Sequence, residues 1–522
     1  MTLKSVLTLL DVLHFADSHA AVALPEFEIV VTYDSLRQQI LAMADALASA
    51  GIRRGSRVAI ALPNGLPAIV SFLAASIAGT AAPLNPAYPY EEFLFFLRDT
   101  EAHLLLCPPV GAEFARSAAA DLRIPVLSVG MTDKGVVHIL DAPSGEKATE
   151  PSPDDIALIL HTSGSTGRPK RVPLRHSNLA VSAANIANGY ALSEEDVSLC
   201  IMPLFHIHGL IGSTMSTLLS GGTVVVPNKF NALSFWRTVR EHRVTWYSGV
   251  PTMHQLIFAR AHHKPEEAAT LRFVRSCSAP LSSDLIHKIE ELFGVPFVEA
   301  YGMTEAAHQM TSNPLPPRHR KAGTVGVGTG IRVSIMDKQG NHLGTNQCGE
   351  VVIQGANVFR GYENNPEANA RSFVSGWFRT GDEGTLDEDC YLRLTGRIKD
   401  IIIRGGENIA PHEVDEVLLR HPAVAAAVTF GCPHPTLGEE VGAAIVLHDS
   451  TGADEGELVK HCRKWLADYK CPSRIFLVHS IPTTATGKIR RRAVAQTLLD
   501  DPTDGLTDQN ASEAIQAQGL DE

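Results

Sequence analysis

The feature that most restricts how this chain can fold is alternation. Leu36, Ile40, Met43 and Leu47 recur at helical spacing, with Ser35 at the N-cap position and Gly51 as the stop. Arg57 to Leu62 follows as a short apolar run closed by Pro63-Asn64-Gly65, which predicts a buried strand. A helical run then ends at Gly79, and Leu104–Cys107 predicts another strand. The pattern resumes with strands at Thr223–Val226 and Val244–Ser248 and a helix at Leu281–Phe293. Apolar strands separated by helices bury both faces of a sheet, so the fold class is α/β with parallel sheets covered by helices.

The texture changes after about Lys338. Short strands and Gly-rich turns, among them Gly349–Gln354 and Gly396–Asp400, indicate a β subdomain at the end of the large part. From Pro411 a compact pattern predicts a helix at His412–Arg420, strands at Val424–Phe430 and Val441–His448, and a helix at Glu455–Tyr469. The 522 residues therefore divide into a large N-terminal domain over residues 1–398, a small α+β domain over 399–498, and an acidic tail over 499–522 expected to be disordered.

Lys and Arg number 45 against 57 Asp and Glu, a net charge of −12, which lacks the footprint of a nucleic-acid binder. Cys107, Cys200, Cys277, Cys348, Cys390, Cys432, Cys462 and Cys471 are scattered without a C-x-x-C pair, so reduced thiols and a cytoplasmic protein are expected. The N-terminus lacks a signal-peptide pattern, the C-terminus lacks a peroxisomal address, and the longest apolar stretch, Ala68–Leu84, is broken by Ser71, Ser76, Gly79 and Thr80. A buried helix, not a membrane span, is expected there. A monomer or homodimer is expected.

The strongest local signal is Thr162-Ser163-Gly164-Ser165-Thr166-Gly167-Arg168-Pro169-Lys170, directly after the strand-like run Ile156–Leu160. Two glycines let successive N–H groups converge on one anion, the hydroxyls add donors, and Lys170 adds charge. The spacing is not that of a Walker A loop. This segment resembles the adenylation loop of the adenylate-forming superfamily, which contains acyl-CoA synthetases, luciferases and peptide-synthetase adenylation domains. Companions follow in the superfamily's order: Tyr301-Gly302-Met303-Thr304-Glu305, Thr380-Gly381-Asp382, Gly396–Asp400 with Arg404–Ile409, and Pro482–Lys488. The resemblance runs from about residue 25 to about residue 497.

What the resemblance implies is a two-step ligase. A carboxylate attacks the α-phosphate of ATP, pyrophosphate leaves, and the thiol of coenzyme A displaces AMP from the acyl adenylate. Residues Thr162 to Gly167 and Lys170 would hold the β- and γ-phosphates, Thr304 would contact the α-phosphate, and Glu305 with Thr166 would hold Mg²⁺. Lys488 would bridge the carboxylate and the α-phosphate, and Asp382 with Arg397 would bind the ribose. Tyr301 would lie against the adenine, edged by Ala279 and the backbone of Glu299 and Ala300. The small domain would be mobile, turning about Lys399 to exchange Lys488 for Gly405-Gly406, which would admit the pantetheine arm of CoA. Where relatives carry glycine after the loop lysine this chain has Arg171, and a left-handed backbone there would strain it.

For the acid, the resemblance implies a polar and narrow pocket. His206 would close the site as gate and acid contact, with Ser278 and His308 also on the acid, Cys277-Ser278 standing where relatives have glycines. His208 reads as packing beneath His206. His308, three residues past Glu305, would share a side of one short helix with it. Imidazoles near two carboxylates would be pushed toward the protonated form. Phe273–Ala279, Glu299–His308, Ser312–Pro316 and Trp246–His254 are similar to the oxalate-activating branch of the superfamily, the alternative being a 4-coumarate-like or medium-chain fatty acyl branch.

Overall fold

The computed structural model describes residues 7–13, 18–162, 169–261, 268, 270–279, 281, 283–448, 452–484 and 489–500. The strand-like runs of the N-terminal part assemble into two large sheets. One is seven-stranded, with Arg57–Ile60, Thr80–Pro83, Leu104–Cys107, Val126–Met131 and Ile156–Thr162 parallel and an antiparallel strand at each edge. The other is nine-stranded, and its parallel interior includes Val197–Leu199, Trp246–Gly249, Phe273–Ser276 and Phe297–Met303. The helix Leu66–Ala78 is apolar on nearly every side and accordingly buried, packed on the helix Tyr33–Ser49 and on the seven-stranded sheet. None of the described helices is long and apolar enough to cross a membrane.

A five-stranded antiparallel sheet containing Arg332–Met336, Gly349–Gln354, Trp377–Leu386 and Leu392–Arg397 follows. The C-terminal part has its own five-stranded sheet and apolar core, built on the long hairpin Val424–His434 with Gly438–Leu447. The molecule is thus the expected mixed α/β body with a small C-terminal domain.

Three local expectations change. The helix of residues 33–49 is capped by Thr32, whose hydroxyl accepts from the backbone of Ser35, so Ser35 lies one turn inside. The helix expected over Glu455–Tyr469 stops at Cys462, and a separate short turn covers Asp468–Lys470. The helix Arg491–Asp500 reaches two residues into the expected tail, and residues 501–522 lie outside the described ones.

Candidate active site

The two sheets bring the motif residues together at the carboxyl ends of parallel strands, where open α/β sheets collect ligands. The strand Phe273–Ser276 runs into Ser278, and its neighbour Phe297–Met303 runs into Thr304-Glu305. Thr162 closes the strand Ile156–Thr162 and pairs with Lys170 across the hairpin. Ser163, Gly164, Ser165, Thr166 and Gly167 lie outside the described residues, as does Lys488. On either side of Lys488, Thr483 and Ile489 pair as a bridge.

Around Tyr301, Asp382 and Arg397, the residues expected to meet the nucleotide, the arrangement is ionic. Tyr301 donates to Asp382, which also accepts from Arg397 Nε at 2.8 Å. Burial first, then the Asp382 charge, pushes the Tyr301 phenol well above its ordinary pKa, so it stays a donor. Thr304 and Glu305 are buried in a single 3-10 turn. Glu305 accepts from the hydroxyl of Tyr362 at 2.8 Å, and Lys170 Nζ stands 4.5 Å from the centre of the same ring. Burial, and after it the charge of Lys399, lowers the Lys170 pKa, while Glu305 raises it. Tyr362 therefore joins Lys170 to the buried Glu305 carboxylate. Its only sequence signal is an aromatic residue directly after Gly361, far from either motif.

Arg171 is not strained. It pairs with His161 in a strand, outside the left-handed region, and its Nη1 reaches the carbonyl of Asp99 at 2.7 Å, Glu101 at 3.0 Å and Glu363 at 3.3 Å. The expected steric cost is thus replaced by a tie to Asp99, Glu101 and Glu363. Replacing Arg171 by Gly should lower the melting temperature, a loss of about 1–2 kcal/mol given the exposure of Glu101. It should not tighten ATP, and a tighter ATP complex in isothermal titration would show that the arginine distorts the loop.

The surroundings of Ser278 and His308, the residues expected on the acid, are built around histidine. His208 opens an eight-residue π-helix, His208–Met215, buried along its whole length. A π-helix widens the turn by one residue and recurs at functional sites. It also passes so close to His308 that a Cβ on Gly212 would lie 2.4 Å from its Nε2. The His208 and His308 rings stack, 4.8 Å between centres. His208 Nδ1 is 3.3 Å from Ser278 Oγ, and its Nε2 is 2.7 Å from Ser248 Oγ. His208 is packed, as expected, yet touches Ser278 directly. His206 precedes the π-helix, and its Nδ1 accepts from the backbone of His208 at 3.2 Å.

His308 does not share a helix with Glu305. The 3-10 turn ends at Ala306, Ala307 and His308 take φ of 50° and 104°, and His308 starts the strand His308–Ser312. Ser278 also has a left-handed φ, 80°. Each such backbone costs about 1–3 kcal/mol and persists only where its surroundings impose it. Here Ser182 Oγ donates to the carbonyl of Ala307 at 2.6 Å and Asn357 Nδ2 to that of Ala306 at 2.9 Å.

Behind the two imidazoles lies Arg275, on the strand Phe273–Ser276 and wholly buried. Its Nε donates to Tyr190 Oη at 3.1 Å and its Nη1 to Ser248 Oγ at 2.9 Å; its Nη2 donates to His308 Nε2 and Gln309 Oε1, both at 2.8 Å. Arginine is always a donor, so His308 Nε2 must be a lone pair, and neutral His308 carries its proton on Nδ1. The expectation of protonated imidazoles is therefore corrected for His308, because a cation already occupies one ring nitrogen.

Among the remaining expected residues, Ala279 is half-buried beside Ser278, while Glu299 and Ala300 precede Tyr301 on one strand. Burial, chiefly, pushes the Glu299 carboxyl up to about 8. Gly405 and Gly406, with φ of 59° and 94°, form the two-residue loop of a hairpin in which Arg404 pairs with Glu407. Lys399 is exposed, and its carbonyl accepts from Arg492 at 2.9 Å.

This chain belongs to the family of AMP-binding enzymes: residues 13–363 match that family and residues 413–488 match the AMP-binding enzyme C-terminal domain. It is 45% identical to the oxalate–CoA ligase of Arabidopsis thaliana, over 94% of this chain and 97% of that one. It is 41% identical to the oxalate–CoA ligase of Saccharomyces cerevisiae, over 92% and 94%. Among solved structures, ATP-bound MatB from Rhodopseudomonas palustris superposes with a TM-score of 0.88 at 29% identity, covering 95% of this chain and 99% of that one.

Proposed function

We propose that the protein is an ATP-dependent oxalate–CoA ligase, converting oxalate, ATP and CoA to oxalyl-CoA, AMP and diphosphate. The observation that carries this reading is the acid side of the site. A fatty acid needs an apolar tunnel. This chain instead stacks His208 on His308 and holds Ser278 against them. Two 41–45% identical relatives that bear this name support it.

In the first step one carboxylate oxygen of oxalate attacks the α-phosphorus, and the bond to the bridging oxygen of diphosphate breaks. The approach of two anions has to be neutralised before they can be aligned. Lys170 and residues Thr162 to Gly167 serve the β- and γ-phosphates, Thr304 the α-phosphate, and Lys488 the reacting oxygens. Arg490, two residues beyond Lys488 in the sequence, acts electrostatically on Tyr88 and Glu92 of the N-terminal part, which supports this role for Lys488. Asp382 and Arg397 take the ribose, Tyr301 the adenine face, and Ala279, Glu299 and Ala300 its edge.

Mg²⁺ is held mainly by nucleotide phosphates in sites of this kind and needs only one or two protein oxygens. The buried Glu305 carboxylate, oriented by Tyr362, fits that requirement, with Thr166 as its companion. The ion would supply charge neutralisation at the phosphates. In the second step the CoA thiol attacks the oxalyl carbonyl and AMP leaves with the electron pair. His206 gates this passage, Gly405-Gly406 line the approach, and Lys399 is the hinge between residues 1–398 and 399–498. The thiols, none of them in a disulfide, suit the cytoplasm.

A panel of acids tests the reading. Oxalate is expected to have the highest kcat/KM, above 4-coumarate and octanoate, and a higher value for either of those would reject it. Ser278→Ala and His308→Ala should each raise the KM for oxalate about tenfold or more while leaving the KM for ATP within about twofold, the loss of one polar contact to an anion being about 1.5–3 kcal/mol. Equal losses for both substrates would indicate a structural role.

A further inference from the structure

An arginine with no carboxylate beside it is rare in a protein interior, because a buried charge without a counter-charge costs several kcal/mol. Arg275 is such a residue. It is fully buried, and all the partners of its guanidinium are uncharged acceptors: Tyr190, Ser248, His208, His308 and Gln309. Among the described residues it makes no ion pair. The fork is used in full, so the charge is held firmly in one place.

The bonds also set proton positions. Ser248 Oγ accepts from Arg275 at 2.9 Å, so its own proton goes to His208 Nε2 at 2.7 Å. His208 is then protonated on Nδ1, the atom facing Ser278. Arg275 caps Nε2 of His308 in the same way, leaving its proton on Nδ1. One guanidinium thus makes both stacked rings Nδ1–H donors and polarises each.

We propose that Arg275 is the positioning and specificity-determining residue of the acid site: its unmatched positive charge is the counter-charge for the second carboxylate of a dianionic substrate, delivered through Ser248, His208 and His308. This rests on the reading of the acid as oxalate and adds the group that makes a dianion preferable to a monoanion. His308 bonds the acid directly and His208 acts on it through Ser278, with the charge that favours it lying behind both rings. The titratable groups around the guanidinium are Tyr190 from the helix His176–Gly189, His208 from the π-helix, His308 from its own strand, Cys277 from the adjoining turn, and His254 from the helix Pro251–Ala259. Burial raises the Tyr190 pKa and lowers that of His254 to about 4, so neither takes over the charge near neutral pH.

The test compares oxalate with acetate, a monoanion, in wild type and Arg275→Met, with the KM for ATP and the melting curve as controls. The variant is expected to lose at least tenfold more kcat/KM on oxalate than on acetate. That excess should shrink between pH 8 and pH 6, because without the arginine an imidazole can protonate and restore the charge. An equal loss on the two acids, or a pH-independent excess, overturns the proposal. If Arg275→Met does not fold, Arg275→Lys carries the test: retained charge should keep the oxalate-to-acetate ratio within about threefold of wild type, and collapse of the ratio overturns the proposal. A wild type that prefers another class of acid would defeat the oxalate reading itself, whereas an oxalate-selective wild type with an unaltered variant ratio would defeat only the role of Arg275.

Discussion

Asp382→Asn is expected to lower ATP-dependent pyrophosphate exchange by about a hundredfold or more. The carboxylate is buried and tied on the protein side to Tyr301 and Arg397, with its backbone N–H donating to Thr380 Oγ1 at 3.1 Å. It is held as an acceptor, the form a ribose diol needs. An amide of the same shape turns a donor toward one of those partners, and Arg397 loses the charge beside it. At about 1.5–3 kcal/mol for each charge-assisted bond, the loss of two approaches or exceeds 3 kcal/mol, and 1.4 kcal/mol is tenfold. Arg397, whose own pKa is raised chiefly by Asp382, would lose its hydrogen-bonded counter-charge. The effect should appear in the KM for ATP as well as in the rate, while the KM for oxalate moves little. Exchange kinetics indistinguishable from wild type would remove Asp382 from the nucleotide site.

Tyr362→Phe should reduce kcat by about tenfold to thirtyfold. The substitution deletes the 2.8 Å bond to Glu305 but keeps a ring beneath Lys170, so it separates carboxylate orientation from the cation–π contact. A hydrogen bond to a charged acceptor is worth about 1.5–3 kcal/mol, and the buried Glu305 carboxylate would be left with one partner fewer. If Glu305 holds the metal, the variant should need several times more Mg²⁺ for half-maximal activity. Adding Glu305→Gln should then cost little beyond Glu305→Gln alone, since the two residues act as one unit. An unchanged Mg²⁺ titration, or independent and additive losses, would show that Tyr362 only packs.

The strand and loop framework was legible because its signals are local. A four-residue apolar run such as Leu104–Cys107 needs no partner to be recognised, and the motif ending in Thr304-Glu305 carries its chemistry in consecutive residues. Helix ends were less so: Ser35 and Thr32 both qualify as caps, and only the fold shows which hydroxyl meets an N–H. The acid pocket was half legible. Ser278 and His308 stood next to motifs, but the backbone turn that separates His308 from Glu305 depends on Ser182 and Asn357, more than a hundred and about fifty residues away respectively. Arg275 and Tyr362 were silent for the same reason. In sequence one is a polar residue inside a strand and the other an aromatic in a loop; their meaning lies in partners brought in by crossover connections. The protonation expected for His308 failed because it counted the substrate's charge and not the one already built into the protein.

The π-helix His208–Met215 also determines how this family member can change. A helical residue advances about 100° around the axis, and a π segment holds one residue more than an α-helix of the same rise. Deleting a single residue within it would let the segment relax to α geometry and swing His208 away from His308, without altering any side chain of the nucleotide site. If these histidines face the acid, its choice is exposed to changes of chain length as well as to substitutions. A one-residue gap at this helix should therefore accompany a change of substrate.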